Sequence, residues 1–163
     1  MSEDGIRIKL ELNAHGAEKS FANLLGFIKS GKLMEAVGEE VAQFSQRRIS
    51  SRRDTAPDGS KWAPLSPAYL LFKKKTHPHQ GTLQRENTMM EGILAHLAGE
   101  GQVDVGVGSN MLYGLIHQFG GKAGRGRKAT IPARPYIGIS EQEKATLERR
   151  VGDWMKDRLA GGK

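Results

Sequence analysis

The stretch that decides the fold is ILAHLAGEGQVDVGVG, residues 93–108. Its apolar members alternate with other residues on both sides of a GEG sequence, and they are Ile93, Ala95, Leu97, Val103, Val105 and Val107. A period of two predicts a strand, and two such runs joined by a short glycine-containing connection predict an antiparallel hairpin. We therefore expect a β-hairpin in the middle of the chain, with the other elements packed around it.

Two long amphipathic helices are predicted on either side of this hairpin. The first covers residues 32–50, and Glu40 and Arg48 fall outside its apolar stripe. The second begins at Ser140, where Ser140 and Glu143 have the spacing of a capping box. The apolar stripes are Leu33, Val37, Val41 and Phe44 in the first helix, and Leu147, Val151, Trp154, Met155 and Leu159 in the second.

Shorter elements complete the predicted fold. Strands are expected at 6–12 and 129–131, and short helices at 66–72, 87–92 and 110–119. The KKKTHPHQGT stretch, residues 73–82, is poor in apolar groups and is expected to be an exposed loop tip. The pattern as a whole predicts one α+β domain over residues 1–163. It has a mostly antiparallel sheet, the two long helices on one face, and exposed loops at about 51–82 and 120–129.

Composition limits the possible functions. The chain has 163 residues, no cysteine and a formal net charge of +7. Residues 41–80 contain 8 basic and 2 acidic side chains, and residues 111–137 contain 5 basic and none that are acidic. Such zones suit a polyanion or an acidic protein face, although a basic face can also be simply solvated. The sequence contains neither an export signal nor an apolar run of the roughly 18 residues that a membrane span requires.

Catalysis finds little support in the sequence. His77 and His79 could ligate a metal, but a proline separates them and no acidic residue is nearby. His117 could act as a general base, yet its neighbours have the character of packing residues and no nucleophile motif surrounds it. The glycine-rich runs lack the order of a phosphate-binding loop. We expect no enzyme activity, no cofactor and no metal, with a hydrolase or metal-dependent nuclease using these three histidines as an alternative.

Three motifs in series resemble a known family. They are DGSKWAPLSPAY (58–69), VDVGVGSNMLYGLIHQFGG (103–121) and IPARPYIGIS (131–140), the last followed by the final helix. Together they resemble the virion morphogenesis family of tailed phages, the tail completion proteins of Mu-like phages and prophages. The resemblance covers about residues 32–160. LQRENTMMEGIL (83–94) departs from it, because a T-G-x-L segment is usual in the family at this point.

This resemblance implies a structural protein of the phage neck, where a filled head is joined to a tail. Such proteins generally form closed rings, often hexamers, that cap the tail tube and face the head connector. The implied partners are further copies of the same chain, a tail tube protein and head connector proteins. The implied location is the tail or neck of the virion, after assembly in the host cytoplasm.

Six residues are candidates for the subunit or partner interface. Trp62 is expected to be buried, in its own core or against a neighbour. Tyr113, His117 and Gln118 would form a polar seam on one helical face that fixes the glycine turn at 120–121. Arg134 stands in extended backbone and suits a carboxylate of a neighbour or, equally, an intrachain acidic partner. The last candidate is Tyr136.

A glycine-diluted basic loop carries Arg125, Arg127 and Lys128. In a ring, this loop could face the lumen through which DNA passes, or it could contact the tail tube. The first of these predicts weak attraction to DNA that depends on salt and not on sequence. A small basic nucleic-acid-binding protein is the alternative function, although no aromatic stacking platform or helix-turn-helix signature is present.

Overall fold

The computed structural model describes residues 15–99, 101–108 and 111–161. Within these ranges it has six α-helices and two antiparallel two-stranded sheets, which confirms the predicted α+β class. The helices are α1 (His15–Lys29), α2 (Lys32–Ser50), α3 (Pro67–Thr76), α4 (Thr88–Glu91), α5 (Leu112–Phe119) and α6 (Glu141–Leu159). The strands are β1 (Ile93–Gly99), β2 (Gln102–Val107), β3 (Gly121–Ala123) and β4 (Ala129–Ile131). The predicted strand at 6–12 lies outside the described residues.

The β1–β2 hairpin forms where it was predicted and packs against α2. Its paired apolar residues are Ile93 with Val107, Ala95 with Val105, and Leu97 with Val103. Helix α2 can approach the hairpin closely because Gly38 has no side chain. A Cβ added at Gly38 would stand only 2.7 Å from the Cβ of Ala95. This contact between helix and hairpin forms the centre of the fold.

Helix α6 covers the polar side of α2, so Glu40 and Arg48 are buried instead of lying on a solvated face. The expectation that these charges are outside the packed surface is therefore wrong. Glu40 forms ion pairs with Arg47, at 2.9 Å, and with Arg150 of α6. The predicted capping box starts α6, since Ser140 Oγ accepts from the Glu143 amide at 3.2 Å and Glu143 returns a bond to the Ser140 amide.

Helix α1 is a third long helix, in a part of the chain for which no element was predicted. It packs against α6 and α2 through its partly buried side, which includes Leu24 and Phe27. The Arg158 guanidinium lies 4.7 Å from the centre of the Phe27 ring. The opposite side of α1 is exposed and carries Phe21, Leu25 and Ile28. None of the described helices is long and apolar enough to cross a bilayer.

Helix α3 extends further than predicted and is held by a buried lysine. Its last turn contains Lys73, which the sequence placed in an exposed loop tip but which is only 5% exposed. The Lys73 ammonium donates to the backbone carbonyls of Gly81, Thr82 and Gln84. These three acceptors satisfy its three protons, which is how this lysine can be buried although no carboxylate of the described residues lies within ion-pair distance.

Candidate interaction surface

The loop that carries Trp62 is tied to the segment around Arg134 and Pro135. The indole ring is buried in the core of its own chain, and its Nε1–H donates to the Pro135 carbonyl at 2.8 Å. The loop itself is a small turn closed by a bridge between Thr55 and Lys61. Of the two positions considered for Trp62, the structure therefore shows the intrachain one.

Arg134 is buried and binds backbone carbonyls of the same loop. Its Nε–H donates to Ala63 at 2.7 Å, and an Nη2–H donates to Pro64 at 2.9 Å. Burial lowers the pKa of Arg134, while the negative charge of Asp54 acts in the opposite direction. The acidic group considered within the chain is therefore an electrostatic neighbour, Asp54, while the carbonyl oxygens of Ala63 and Pro64 accept the hydrogen bonds of Arg134.

Gln118 connects helix α5 to the segment after Arg134. Its Oε1 accepts from the amides of Tyr136, at 2.9 Å, and Ile137, at 3.0 Å, and its Nε2 donates to the Ile137 carbonyl at 3.1 Å. The side chain was expected to fix the glycine turn at 120–121, and it instead holds residues 136–137. The end of α5 is fixed by its backbone, since the His117 carbonyl accepts from the Arg134 amide at 2.6 Å.

Tyr136 is fully buried beneath α5. Its hydroxyl donates to the Gly114 carbonyl at 3.2 Å, and burial raises the pKa of the phenol to about 12. Gly114 makes this approach possible, because a Cβ there would lie 2.9 Å from the Tyr136 hydroxyl and 2.8 Å from Val107. Tyr136 thus fixes the position of α5 over the β2 strand.

Arg48 is a buried residue that the sequence analysis missed. Its guanidinium donates to the carbonyls of Tyr136, at 2.6 Å, and Gly138, at 3.2 Å, and forms an ion pair with Glu143. Burial lowers the pKa of Arg48, and Glu143 partly offsets this effect. An arginine in the last turn of a predicted helix is a usual surface residue, so nothing in the sequence indicated this role.

A groove of about 980 Å³ opens between α3, α5 and β4, and we call it the α3–β4 groove. Tyr69, Leu83, Tyr113 and Ile131 form its walls, and the buried cations Lys73 and Arg134 line its deeper part. His117 also lines the groove, and its Nδ1 atom is buried without a hydrogen-bond partner among the described residues. Its pKa is lowered, first by burial and then by the positive charges of Arg134 and Lys73.

Two exposed apolar stripes remain outside this groove. The α1 stripe consists of Phe21, Leu25 and Ile28, and the α5 stripe consists of Leu112, Leu115 and Phe119. The most exposed of these side chains is Phe119, at 75%. The basic loop lies beyond α5, and its three predicted residues, Arg125, Arg127 and Lys128, are all exposed around a short 3₁₀ turn.

Comparison with known proteins identifies the family of the chain. A sequence profile described as the phage virion morphogenesis family matches residues 16–156, which is most of the length. The chain belongs to the phage virion morphogenesis family. Its members include proteins that act in phage assembly, and a role in phage morphogenesis follows for this chain.

Two relatives of this family member come from Mu and a Mu-like prophage. The Mu-like prophage FluMu G protein 2 of Haemophilus influenzae is 39% identical over 84 residues, which cover 51% of this chain and 59% of that protein. The putative capsid assembly protein G of Escherichia phage Mu is 28% identical over 123 residues, covering 73% and 74% of the two chains. The first match thus spans less than two thirds of its relative. No solved structure matches significantly.

The predicted interface residues of this family member divide into two groups. Trp62, Arg134 and Tyr136 are buried within the described fold, whereas His117 and Gln118 are half-buried and Tyr113 is exposed on the groove wall. Their contact with a second subunit stays a prediction. As for a metal, no cluster of three or more ligating side chains occurs among the residues that the structure describes, and His77 Nδ1 lies 2.8 Å from Thr76 Oγ1.

Proposed function

We propose that this protein is a structural subunit of the phage neck, which completes the tail and joins it to the DNA-filled head. It acts as one copy in a homo-oligomeric ring, which we expect to be a hexamer, and without catalysis. Its membership of the virion morphogenesis family supports an assembly role, and the exposed surfaces support the ring. The name of the phage Mu relative, putative capsid assembly protein G, is consistent with a partner on the head side.

The observation that carries the ring is the position of the two apolar stripes. Helix α1 lies on the α6 side of α2, whereas α5 lies beside the hairpin that packs on α2. A head-to-tail ring requires two different surfaces on each subunit, so that one surface of a copy meets the other surface of the next. The α1 and α5 stripes meet this requirement, because they are exposed and apolar and belong to two helices that pack on different elements.

The network around Arg134 gives the ring subunit its rigidity. Arg48, Trp62, Gln118 and Arg134 all bind backbone groups of segments distant in sequence. Buried side chains that bond to backbone groups hold these loops in one conformation. A surface that is already ordered loses less conformational entropy when it binds a partner. The partners on either side of the ring would be the tail tube protein and the head connector proteins.

The proposal is tested by phage assembly in the absence of this protein. Electron microscopy of lysates should show filled heads and separate tails that fail to attach, or tails of abnormal length. Supplying the natural chain should restore joined particles, and supplying a Phe119→Glu variant should not. Normal, joined virions formed without the protein would overturn the assignment.

The exposed basic loop favours one second candidate, a small nucleic-acid-binding protein located at the virion or free in the cell. Titration of a labelled DNA duplex at about 150 mM salt separates the two functions, because electrostatic contacts alone weaken steeply with salt. Tight, saturable binding by a monomer would support the second candidate. A neck subunit should bind weakly, without regard to sequence, and Arg125→Ser with Arg127→Ser should remove most of that binding.

A further inference from the structure

The α3–β4 groove has the dimensions and walls of a binding site. Its volume of about 980 Å³ is at the upper end of the roughly 300–1,000 Å³ that is usual for ligand pockets. Apolar and aromatic side chains form the walls, among them Leu65, Tyr69 and Tyr113. The polar side chains of Lys73, His117 and Arg134 also line the groove. Ligand sites usually combine apolar walls with a few polar groups that orient the ligand.

Strand β4 supplies an edge along this groove. Residues Ala129, Thr130 and Ile131 line the groove, and within the described ranges β4 pairs with β3 alone. An edge strand presents backbone N–H and C=O groups that an extended chain can pair with. Addition of a peptide strand to such an edge is a recurrent mode of recognition, in which alternate side chains of the peptide enter pockets.

The charge around the groove is mainly positive, since Lys73, Arg85 and Arg134 line it and Glu86 is the one acidic lining residue in the described part of the chain. Residues 61–85 contain five basic side chains and no acidic one, and residues 111–137 contain the same numbers. The two deepest cations, Lys73 and Arg134, donate to backbone carbonyls, which carry no net charge. Asp54 is their acidic electrostatic neighbour, and Glu86 at the rim forms an ion pair with Arg85 at 3.5 Å.

Arg134 retains capacity for a further acceptor. Two of its five N–H groups bond to Ala63 and Pro64, and no acceptor in the described part of the chain is recorded for the other three. A carboxylate accepts from a guanidinium with two oxygens and adds the opposite charge. It would also stabilise the neighbouring Lys73, whose ammonium is buried among carbonyls.

We propose that the α3–β4 groove binds an extended segment of a partner protein in which apolar residues alternate with acidic ones. The backbone of this segment pairs along β4, its apolar side chains contact the tyrosine walls, and one carboxylate reaches Arg134. This docking site goes beyond the ring-forming role and does not depend on it, since neither the α1 stripe nor the α5 stripe lines the groove.

A protein segment fits this groove better than DNA does. Apolar and aromatic side chains form much of its walls, which suits the alternating apolar side chains of a peptide, whereas a DNA strand carries a phosphate at every nucleotide. The accessible cations of this region are Arg85 at the groove rim and, outside the groove, Arg125 and Arg127 of the basic loop. Binding of single-stranded DNA in the groove is therefore the competing outcome that the test must distinguish.

The test uses three fluorescent nine-residue peptides with the full-length protein. In the first peptide glutamate alternates with valine, and in the other two glutamine or lysine replaces every glutamate. Fluorescence anisotropy should show binding of the glutamate peptide at least tenfold tighter than that of either other peptide. Hydrogen exchange should slow at residues 129–131 when this peptide is added, because their edge becomes paired.

Two variants with the same change in charge locate the site. Arg85→Glu alters the groove rim, and Arg125→Glu alters the basic loop outside it. Arg85→Glu should weaken binding of the glutamate peptide at least fivefold, and Arg125→Glu should weaken it less than twofold. The proposal is overturned if both variants weaken binding equally, if the glutamine peptide binds as well, if no peptide binds, or if a 20-nucleotide single strand binds in competition and more tightly. None of these binding results bears on the proposed neck function, which is tested separately by the assembly of phage without the protein.

Discussion

At the scale of single residues, the fold is held by side chains whose type the sequence shows but whose partners it does not. Trp62 was predicted to be buried, and its indole is. Gln118 and Arg134 were singled out by the motifs that contain them, yet their partners are backbone groups 18 to 71 residues away. Sequence spacing reports neighbours on one helix or strand, and it carries no information on which distant carbonyl a guanidinium will meet.

The burial of charged residues could not be predicted from the sequence. Glu40, Arg48 and Lys73 each stand in a run of charges that is typical of a solvated face. Each is buried because another element covers it, namely α6 over α2, or the turn at 81–84 around Lys73. A periodic pattern shows which side of a helix is apolar. A charged side that is covered by another element has the same sequence pattern as a charged side that faces solvent.

His117 predicts how stability depends on pH. Its folded-state pKa is lowered by burial and by Arg134 and Lys73, with Asp54 as the acidic group near those two cations. In the unfolded chain the pKa is about 6.5, so below that pH the unfolded state binds more protons and the folded state loses stability. Above about pH 6.5 the His117 imidazole is neutral in the folded and the unfolded state, so the free energy of unfolding no longer changes with its protonation.

The measurement is urea unfolding of the natural chain and of His117→Gln between pH 5 and pH 8. The natural chain should lose more free energy of unfolding than the variant as the pH falls below about 6.5. His96→Gln is the matched control, because His96 is exposed on β1, and its pH dependence should follow that of the natural chain. Parallel curves for the natural chain and His117→Gln would contradict the neutral, buried imidazole.

At the scale of elements, long periodic segments were predicted well and short or diluted ones less so. The bounds of α2, the capping box of α6 and the presence of the hairpin follow from patterns of local residues, and all three are confirmed. Helix α1 was missed, although it contains apolar residues at helical spacing, because Gly16 and Gly26 weaken the pattern. Separation of the strands into two sheets depends on long-range packing, which no local pattern specifies.

Gly38 predicts a close contact between α2 and the hairpin. Gly38→Ala should destabilise the protein by about 1–3 kcal/mol, because the added methyl group has to displace Ala95 and Val103. Gly26→Ala in α1 is the matched control, since nothing lies within 4 Å of a Cβ there. This control should be neutral or stabilise by about 0.5–1 kcal/mol through helix propensity. Denaturant unfolding compares the two, and an equal effect of both substitutions would argue against the close packing.

At the scale of the whole molecule, a rigid core presents apolar surfaces that the described chain does not cover. The α1 and α5 stripes could not be recognised from sequence as interfaces, because an apolar helical face is more often a core face. The structure separates the two cases, since Leu24 and Phe27 of α1 turn inward while Leu25 and Ile28 remain exposed. In the proposed ring, one kind of contact between successive copies would bury both stripes.

Charged substitutions in the stripes test their role in assembly. Leu25→Glu in the α1 stripe and Phe119→Glu in the α5 stripe should each prevent oligomer formation while leaving the fold intact, because both side chains are exposed in the single chain. Leu71→Glu on α3 is the matched control, since Leu71 is about as exposed but belongs to neither stripe. Circular dichroism checks the fold of all three variants.

The most direct test of the central claim is the mass of the purified natural chain in solution, measured by sedimentation equilibrium. Assembly through the two stripes predicts a closed oligomer, expected at six times the 17.9 kDa of one chain, whose mass stays constant as concentration rises. A particle of 17.9 kDa at every concentration would contradict the account, and so would a mass that grows without limit.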